Sequence, residues 1–124
     1  MREMLILVVD DDPMACEMTT AFLEDAGHRT VTAENGVEAL EKLAADASVE
    51  LVVSDLNMPL VSGIDLFREM RSQGIGMPFI LLSGDDPAGP RAEEPGLDAC
   101  LLKDFSLADT LADTIAGVMD GHGD

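Results

Sequence analysis

Basic residues are scarce in this chain: seven Lys and Arg stand against 25 Asp and Glu, a formal net charge of −18 over 124 residues. So negative a surface repels a nucleic-acid backbone and releases none of its counterions, so direct nucleic-acid binding is not expected. Cysteine is scarcer still. Cys16 and Cys100 cannot build a disulfide framework, and neither stands in a metal-ligand or redox spacing with another Cys or a His. Both read as reduced core residues of a cytoplasmic protein. Long apolar runs are missing too: Leu5 to Val9, Leu51 to Val53 and Phe79 to Leu82 fall well short of the roughly 20 residues a membrane span needs. The first of these runs ends at an acidic cluster within a few residues, unlike a signal peptide, and nothing points to export. There is no internal repeat and no low-complexity segment.

What is present suits an ordinary globular chain. Apolar residues make up 47% of it, enough for one domain over residues 1–119, with 120–124 expected to fray. Apolar runs and helical stretches alternate five times. Leu5 to Val9 stops at Asp10, and Asp12 with Pro13 supplies an N-cap and first-turn residue. The helix that follows repeats Met14, Met18 and Phe22 at intervals of four and stops at Gly27. Arg29 to Ala33 leads to a capping box of Asn35 and Glu38, opening a helix with Val37, Leu40 and Ala44 expected inward. Leu51 to Ser54 ends at Asp55, and Ser62 caps a helix that buries Leu66, Phe67 and Met70. Phe79 to Leu82 and Ala99 to Leu102 are the last two strands. Behind a cap of Ser106 with Asp109, the final helix carries Leu107, Leu111, Ile115 and Val118 on one stripe. Continuous rather than alternating apolar strands imply burial on both faces, which predicts an α/β fold with a parallel sheet between helices.

In open parallel sheets the functional crevice lies beyond the carboxyl ends of the strands. The residues there are Asp10 and Asp11 after strand one, Asp55 after strand three, Ser83 after strand four and Lys103 after strand five. Crowded carboxylates repel one another unless a cation neutralises them. Magnesium suits one or two carboxylates, a backbone carbonyl and room for phosphate. A carboxylate beside such an ion can attack phosphorus, because the metal offsets the charge that keeps two anions apart. Asp55 is placed for that role. Lys103 would meet a phosphoryl oxygen as a mobile point charge, Ser83 would donate its hydroxyl to another, and Gly84 would leave the approach open. Taken singly, each residue has a plainer reading: a strand-end Asp is a helix cap, which suits Asp12 before Pro13, a strand-end Ser is turn chemistry, and a Lys is a solvated charge. Acid, acid, hydroxyl and amine at corresponding strand ends together outweigh those readings.

Ile6-Leu7-Val8-Val9-Asp10-Asp11-Asp12-Pro13, Asp55-Leu56-Asn57-Met58-Pro59 followed by Gly63, the pair Ser83-Gly84, and Lys103 resemble the motifs of the receiver domains of two-component response regulators. The resemblance runs along nearly the whole chain. It implies a flavodoxin-like three-layer sandwich with a five-stranded parallel sheet of order 2-1-3-4-5. It also implies a Mg2+ site, open to Mn2+, formed by the side chains of Asp11 and Asp55, the backbone carbonyl of Asn57, and Asp10 through water. Asp55 would take its phosphoryl group from a phosphohistidine on a sensor histidine kinase or phosphotransfer protein. The reaction would be self-catalysed, with slow autodephosphorylation and no other enzyme activity. Ser83, Gly84 and Lys103 would bind and answer the phosphoryl group, while Asn57 and Asp85 match positions that tune hydrolysis. The implied output is contact with a downstream protein or output domain, in a domain standing alone or excised from a longer protein, with a homodimer as one form of that contact and no membrane partner.

Three places depart from the family pattern. Gly84 to Gly96 holds three prolines and three glycines, where receivers carry a fourth helix. An interior proline costs about 3 kcal/mol of helix, so a loop or at most one short turn is predicted. That would thin the cover over strands four and five, leaving their side chains to the loop, a second copy or a partner. Cys100 stands where many receivers place an aromatic switch residue. Asp104 stands where a cis proline commonly follows the lysine; since a non-proline cis bond costs roughly 2.5 to 4 kcal/mol, a trans or strained bond is expected. Two alternatives follow: a pseudo-receiver that binds partners without phosphorylation, and a small phosphatase of the haloacid dehalogenase type. The latter places its nucleophile after the first strand and needs a cap. A nucleotide-binding role lacks a glycine-rich loop after strand one.

Overall fold

The structure is a computed structural model and describes residues 3–122. Five strands, β1 (Leu5–Val9), β2 (Arg29–Ala33), β3 (Leu51–Asp55), β4 (Phe79–Ser83) and β5 (Ala99–Leu102), alternate with five helices, α1 (Pro13–Asp25), α2 (Gly36–Ala45), α3 (Gly63–Ser72), α4 (Ala88–Glu93) and α5 (Leu107–His122). All neighbouring strands run parallel in the order β2-β1-β3-β4-β5, so the expected class and strand order are both found. Of the tail expected to fray, 120–122 belong to α5, and 123 and 124 lie outside the described residues.

The three central strands, β1, β3 and β4, are buried along their whole length, because helices cover both faces of the sheet. Alternate strand residues feed two cores. Leu7, Val9, Val52, Phe79 and Leu81 pack with Leu66, Phe67 and Met70 of α3. Ile6, Val8, Val53, Ile80 and Leu82 pack with Leu107, Leu111 and Ile115 of α5. The α3 and α5 faces thus match their sequence periodicity.

The first two helices present other faces than their periodicity suggested. In α1, Met14 is 80% and Met18 56% exposed, while Thr19 and Leu23 are buried. Of the expected residues only Phe22 packs against the core, and the inward stripe runs through Cys16, Thr19, Phe22 and Leu23, with Thr19 about 100° around the helix from Met18. In α2 the buried residues are Gly36, Ala39 and Leu43; Leu40 is half-buried, Val37 is half out in solvent and Ala44 is exposed. Gly36 lies on this buried face, where a β-carbon would meet Val61 Cγ1 at 2.9 Å.

Caps follow the sequence in part. Asp12 Oδ1 accepts the Met14 N–H at 3.0 Å, and Ser62 with Asp65 forms a reciprocal capping box. Asn35 accepts the Glu38 N–H at 2.8 Å, but Glu38 reaches the Glu34 N–H instead of Asn35. Ser106 does not cap α5 with its side chain: its hydroxyl donates to Asp104 Oδ1 at 2.7 Å.

The expectation that the fourth helix is missing or only a loop is corrected, because α4 forms over Ala88–Glu93. Its prolines fall where helices tolerate them. Pro87 is the N-cap residue, Pro90 stands in the first turn, where an N–H would lack an intrahelical acceptor, and Pro95 lies past the end. Asp86 Oδ1 accepts the Ala88 N–H at 2.9 Å, and Arg68 of α3 ties the far end through Glu94 Oε1 at 2.8 Å and the Glu93 carbonyl at 3.2 Å. The helix is nevertheless only six residues long and buries none of them. Thin cover, expected over strands four and five, is found over β5 alone: Ala99, Cys100 and Leu101 are half-buried and Leu102 is exposed, whereas β4 is buried along its whole length.

Candidate functional site

Each strand of the crevice ends its apolar run with a polar residue at the same sheet edge. Asp10, 4% exposed, follows β1, and its Oδ1 accepts the Asp12 N–H at 2.9 Å, which turns the chain into α1. Asp55, 8% exposed, is the last residue of β3. Beyond it, Leu56 N–H bonds to the Leu82 carbonyl and Gly63 N–H to the Leu56 carbonyl, both at 2.9 Å, closing the loop that carries Asn57.

Lys103 binds this edge together. Its ammonium donates to Asp10 Oδ2 at 3.1 Å and to Asp55 Oδ1 at 3.0 Å, and its N–H bonds to the Ser83 carbonyl at 2.8 Å. Asp11 stands exposed at the rim. The structure therefore brings together Asp10, Asp11, Asp55 and Lys103, three carboxylates against one ammonium.

Burial pushes the Asp55 carboxyl above the usual carboxylate range; the Lys103 hydrogen bond and charge oppose this, and Asp10 and Asp11 add to it. At Lys103 burial disfavours the charge, but hydrogen bonds to Asp55 and Asp10 outweigh it and leave the ammonium held above its ordinary value. One carboxylate oxygen from each of Asp10, Asp11 and Asp55 lies within 4.8 Å of the others. Two oxygens bound to one magnesium at about 2.1 Å stand about 3 to 4 Å apart, so this all-oxygen set fits that ion after small adjustments.

The remaining sequence-predicted residues ring the pit. Ser83 is buried, with its hydroxyl accepting the Asp85 N–H at 3.2 Å. Gly84 is exposed with open space where a side chain would go, and Asn57 and Asp85 are exposed. Asp12 is a cap, as its plainer reading held. Cys100 is half-buried beside α4, and burial pushes its thiol up. Asp104 is exposed and accepts the Ser106 N–H at 2.9 Å, and the chain has no cis peptide bond among its described residues, so the bond after Lys103 is trans. Sequence reasoning missed Leu60, whose backbone φ of 70° is left-handed. Its position directly after Pro59 is the only hint.

Comparison with known proteins agrees with this geometry. The family model for the response regulator receiver domain matches residues 6–115. The chain is 36% identical over 116 residues to sensor histidine kinase RcsC of Salmonella typhimurium, covering 92% of this chain and 12% of that protein. It is 38% identical to response regulator MprA of Mycobacterium ulcerans, covering 86% of this chain and 47% of that protein. It thus spans less than half of either relative's length. Response regulator TrrA from Thermotoga maritima, solved in complex with Mg2+ and BeF, is similar at a TM-score of 0.84 and 31% identity, over 93% of this chain and 98% of that one. A receiver domain protein from Clostridium thermocellum gives 0.86 and 27%, over 96% of both chains. With its strand order, its acidic pit and a family match along most of its length, this chain belongs to the response regulator receiver domains of two-component signalling.

Proposed function

We propose that Asp55 is the phosphoryl acceptor of this receiver domain, fed by a phosphohistidine on a sensor kinase or phosphotransfer protein. The observation that carries the reading is the Asp55 carboxylate at the floor of the pit, paired to Lys103 at 3.0 Å and crowded by Asp10 and Asp11. An Asp55 carboxylate oxygen attacks phosphorus, the P–N bond of the phosphohistidine breaks, and the imidazole departs with the bonding electrons. Mg2+ would be held by Asp11 and Asp55, with the Asn57 carbonyl and Asp10 through water. When bound it neutralises charge between the carboxylate and the phosphoryl oxygens. Once Asp55 is an acyl phosphate, Lys103 follows the negative charge onto a phosphoryl oxygen, and the Ser83 hydroxyl donates to another. Gly84 leaves that side open, and Asn57 and Asp85 would tune the later hydrolysis of the adduct. Output is contact with a downstream protein or output domain in the cytoplasm.

The test is to incubate the protein with Mg2+ and phosphoramidate, trap the adduct and map it by mass spectrometry. A phosphoryl adduct on Asp55 that is lost in Asp55→Asn is expected. No adduct from phosphoramidate or from any histidine kinase would point instead to a pseudo-receiver.

A further inference from the structure

Among the described residues, six large apolar side chains stand out in solvent: Met14, Met18, Val37, Leu60, Leu102 and Phe105. All six lie toward the sheet edge that holds Asp55. Met14 and Met18 are in the first half of α1, Val37 opens α2, Leu60 is in the β3–α3 loop, Leu102 ends β5, and Phe105 follows it. The segment between β4 and α4 has none and carries Asp85 and Asp86 instead.

Leu60 is the most informative of them. It is 93% exposed, and its φ of 70° lies in the left-handed region that a branched side chain disfavours. Glycine or asparagine would take this backbone with less strain, and burial gives no reason for leucine. Strain of this kind persists where function retains it.

We propose that Leu60 is an apolar anchor for the protein that donates the phosphoryl group, seated in a hollow of the donor's surface beside its phosphohistidine, and that it decides which donors are accepted. The proposal rests on Asp55 being the acceptor. Asp55 is only 8% exposed, so a donor must come down on the rim that Leu60 occupies. The chain's net charge of −18 repels the phosphoryl group itself, and apolar contact at the rim offsets that repulsion. Across the pit, Met18 and Phe105 line a hollow of about 350 Å³ that also includes Lys103. A protein seated over Asp55 touches both sides, whereas a small phosphodonor touches neither.

The experiment compares the parent chain with Leu60→Asn and Leu60→Met. Donors are phosphoramidate and a set of autophosphorylated sensor histidine kinase cores, one of RcsC type among them. All three proteins should be labelled equally fast by phosphoramidate. With the best protein donor, kcat/KM for Leu60→Asn should fall about tenfold, chiefly through KM, as for a truncated interface anchor. Leu60→Met should stay near the parent, and Leu60→Asn should be no less heat-stable, since its backbone strain is relieved. Equal protein-donor transfer into Leu60→Asn overturns the proposal, as does an equal fall with phosphoramidate or a set in which no kinase outpaces phosphoramidate. Loss of self-association in Leu60→Asn with unchanged transfer also overturns it and assigns the patch to a second copy. Failure of phosphoramidate to label Asp55 in the parent chain counts against the acceptor reading instead.

Discussion

Gly63 lies so close over Asp55 that a β-carbon on it would stand 2.4 Å from the Asp55 carbonyl oxygen and 2.5 Å from Leu81 Cδ1. The first turn of α3 is thereby seated on the end of β3. One of the two obstacles is backbone, which cannot swing aside as a flexible side chain can. Gly63→Ala is therefore expected to cost about 1 to 3 kcal/mol, as overpacking does, and to displace Asp55. Thermal unfolding followed by circular dichroism checks it, and a melting temperature equal to the parent's would show that the turn yields freely.

Magnesium should stabilise the whole fold. At 100 times its dissociation constant, an ion that binds only the folded chain adds about 2.7 kcal/mol. Asp11→Asn should lose most of that gain. Asp12→Asn should keep it, because Asp12 caps α1 and Asn caps a helix about as well. Melting curves with and without Mg2+ separate ligand from cap; equal responses in the two variants would contradict the assignment of Asp11.

Lys103→Met removes the counter-charge of two carboxylates that are nearly out of solvent. Breaking a buried pair costs about 3 to 5 kcal/mol, and the partial exposure of Lys103 brings the expectation down to about 1 to 3 kcal/mol. The cation should recover more of this loss than it adds to the parent chain, since it replaces the missing charge. Urea unfolding at two magnesium concentrations measures both quantities. Identical midpoints for variant and parent without the metal would refute the role given to Lys103.

His28 predicts a pH dependence far from the pit. It is buried, and its Nδ1 accepts the Met4 N–H at 3.2 Å, so the ring is neutral with its proton on Nε2. Burial holds its pKa below the usual histidine value, against the pull of Glu3 and Glu50. The unfolded chain thus binds the proton more readily. Stability from this residue is fully present above the unfolded pKa of about 6.5 and is lost as pH falls through the lower folded value. Between neutral and mildly acidic pH the melting temperature of the parent should drop more steeply than that of His28→Gln. Parallel slopes would mean that His28 contributes nothing.

Much of the site is legible in the sequence because each buried strand is a continuous apolar run, and the residue that ends it is fixed to one sheet edge. Asp10, Asp55 and Ser83 are found by that rule, and Lys103 by the apolar run of the half-buried β5. Helix rotation is harder to read. The methionines of α1 repeat at a helical interval, yet Thr19 and Leu23 go inward, and which stripe is buried depends on packing against distant elements. In α2 the close approach of Gly36 to Val61 lies on the buried face, across a separation no local pattern can show. For the prolines of Gly84 to Gly96 number misleads, because their positions at the cap, in the first turn and past the end are what matters. Leu60 escaped notice because a left-handed backbone leaves no mark on a leucine's identity.

Lys103 reaches Asp10 across 93 positions of the chain, and that span has a bearing on when the domain becomes competent. While a new chain is being made, Asp10, Asp11 and Asp55 emerge first and lie on strands whose edge is not yet complete. Without β5 they have no ammonium among them, and without the sheet they share no pit. A chain made only as far as β4 therefore lacks the Lys103 ammonium beside Asp10 and Asp55, and the pit is complete only once β5 and Lys103 have been added.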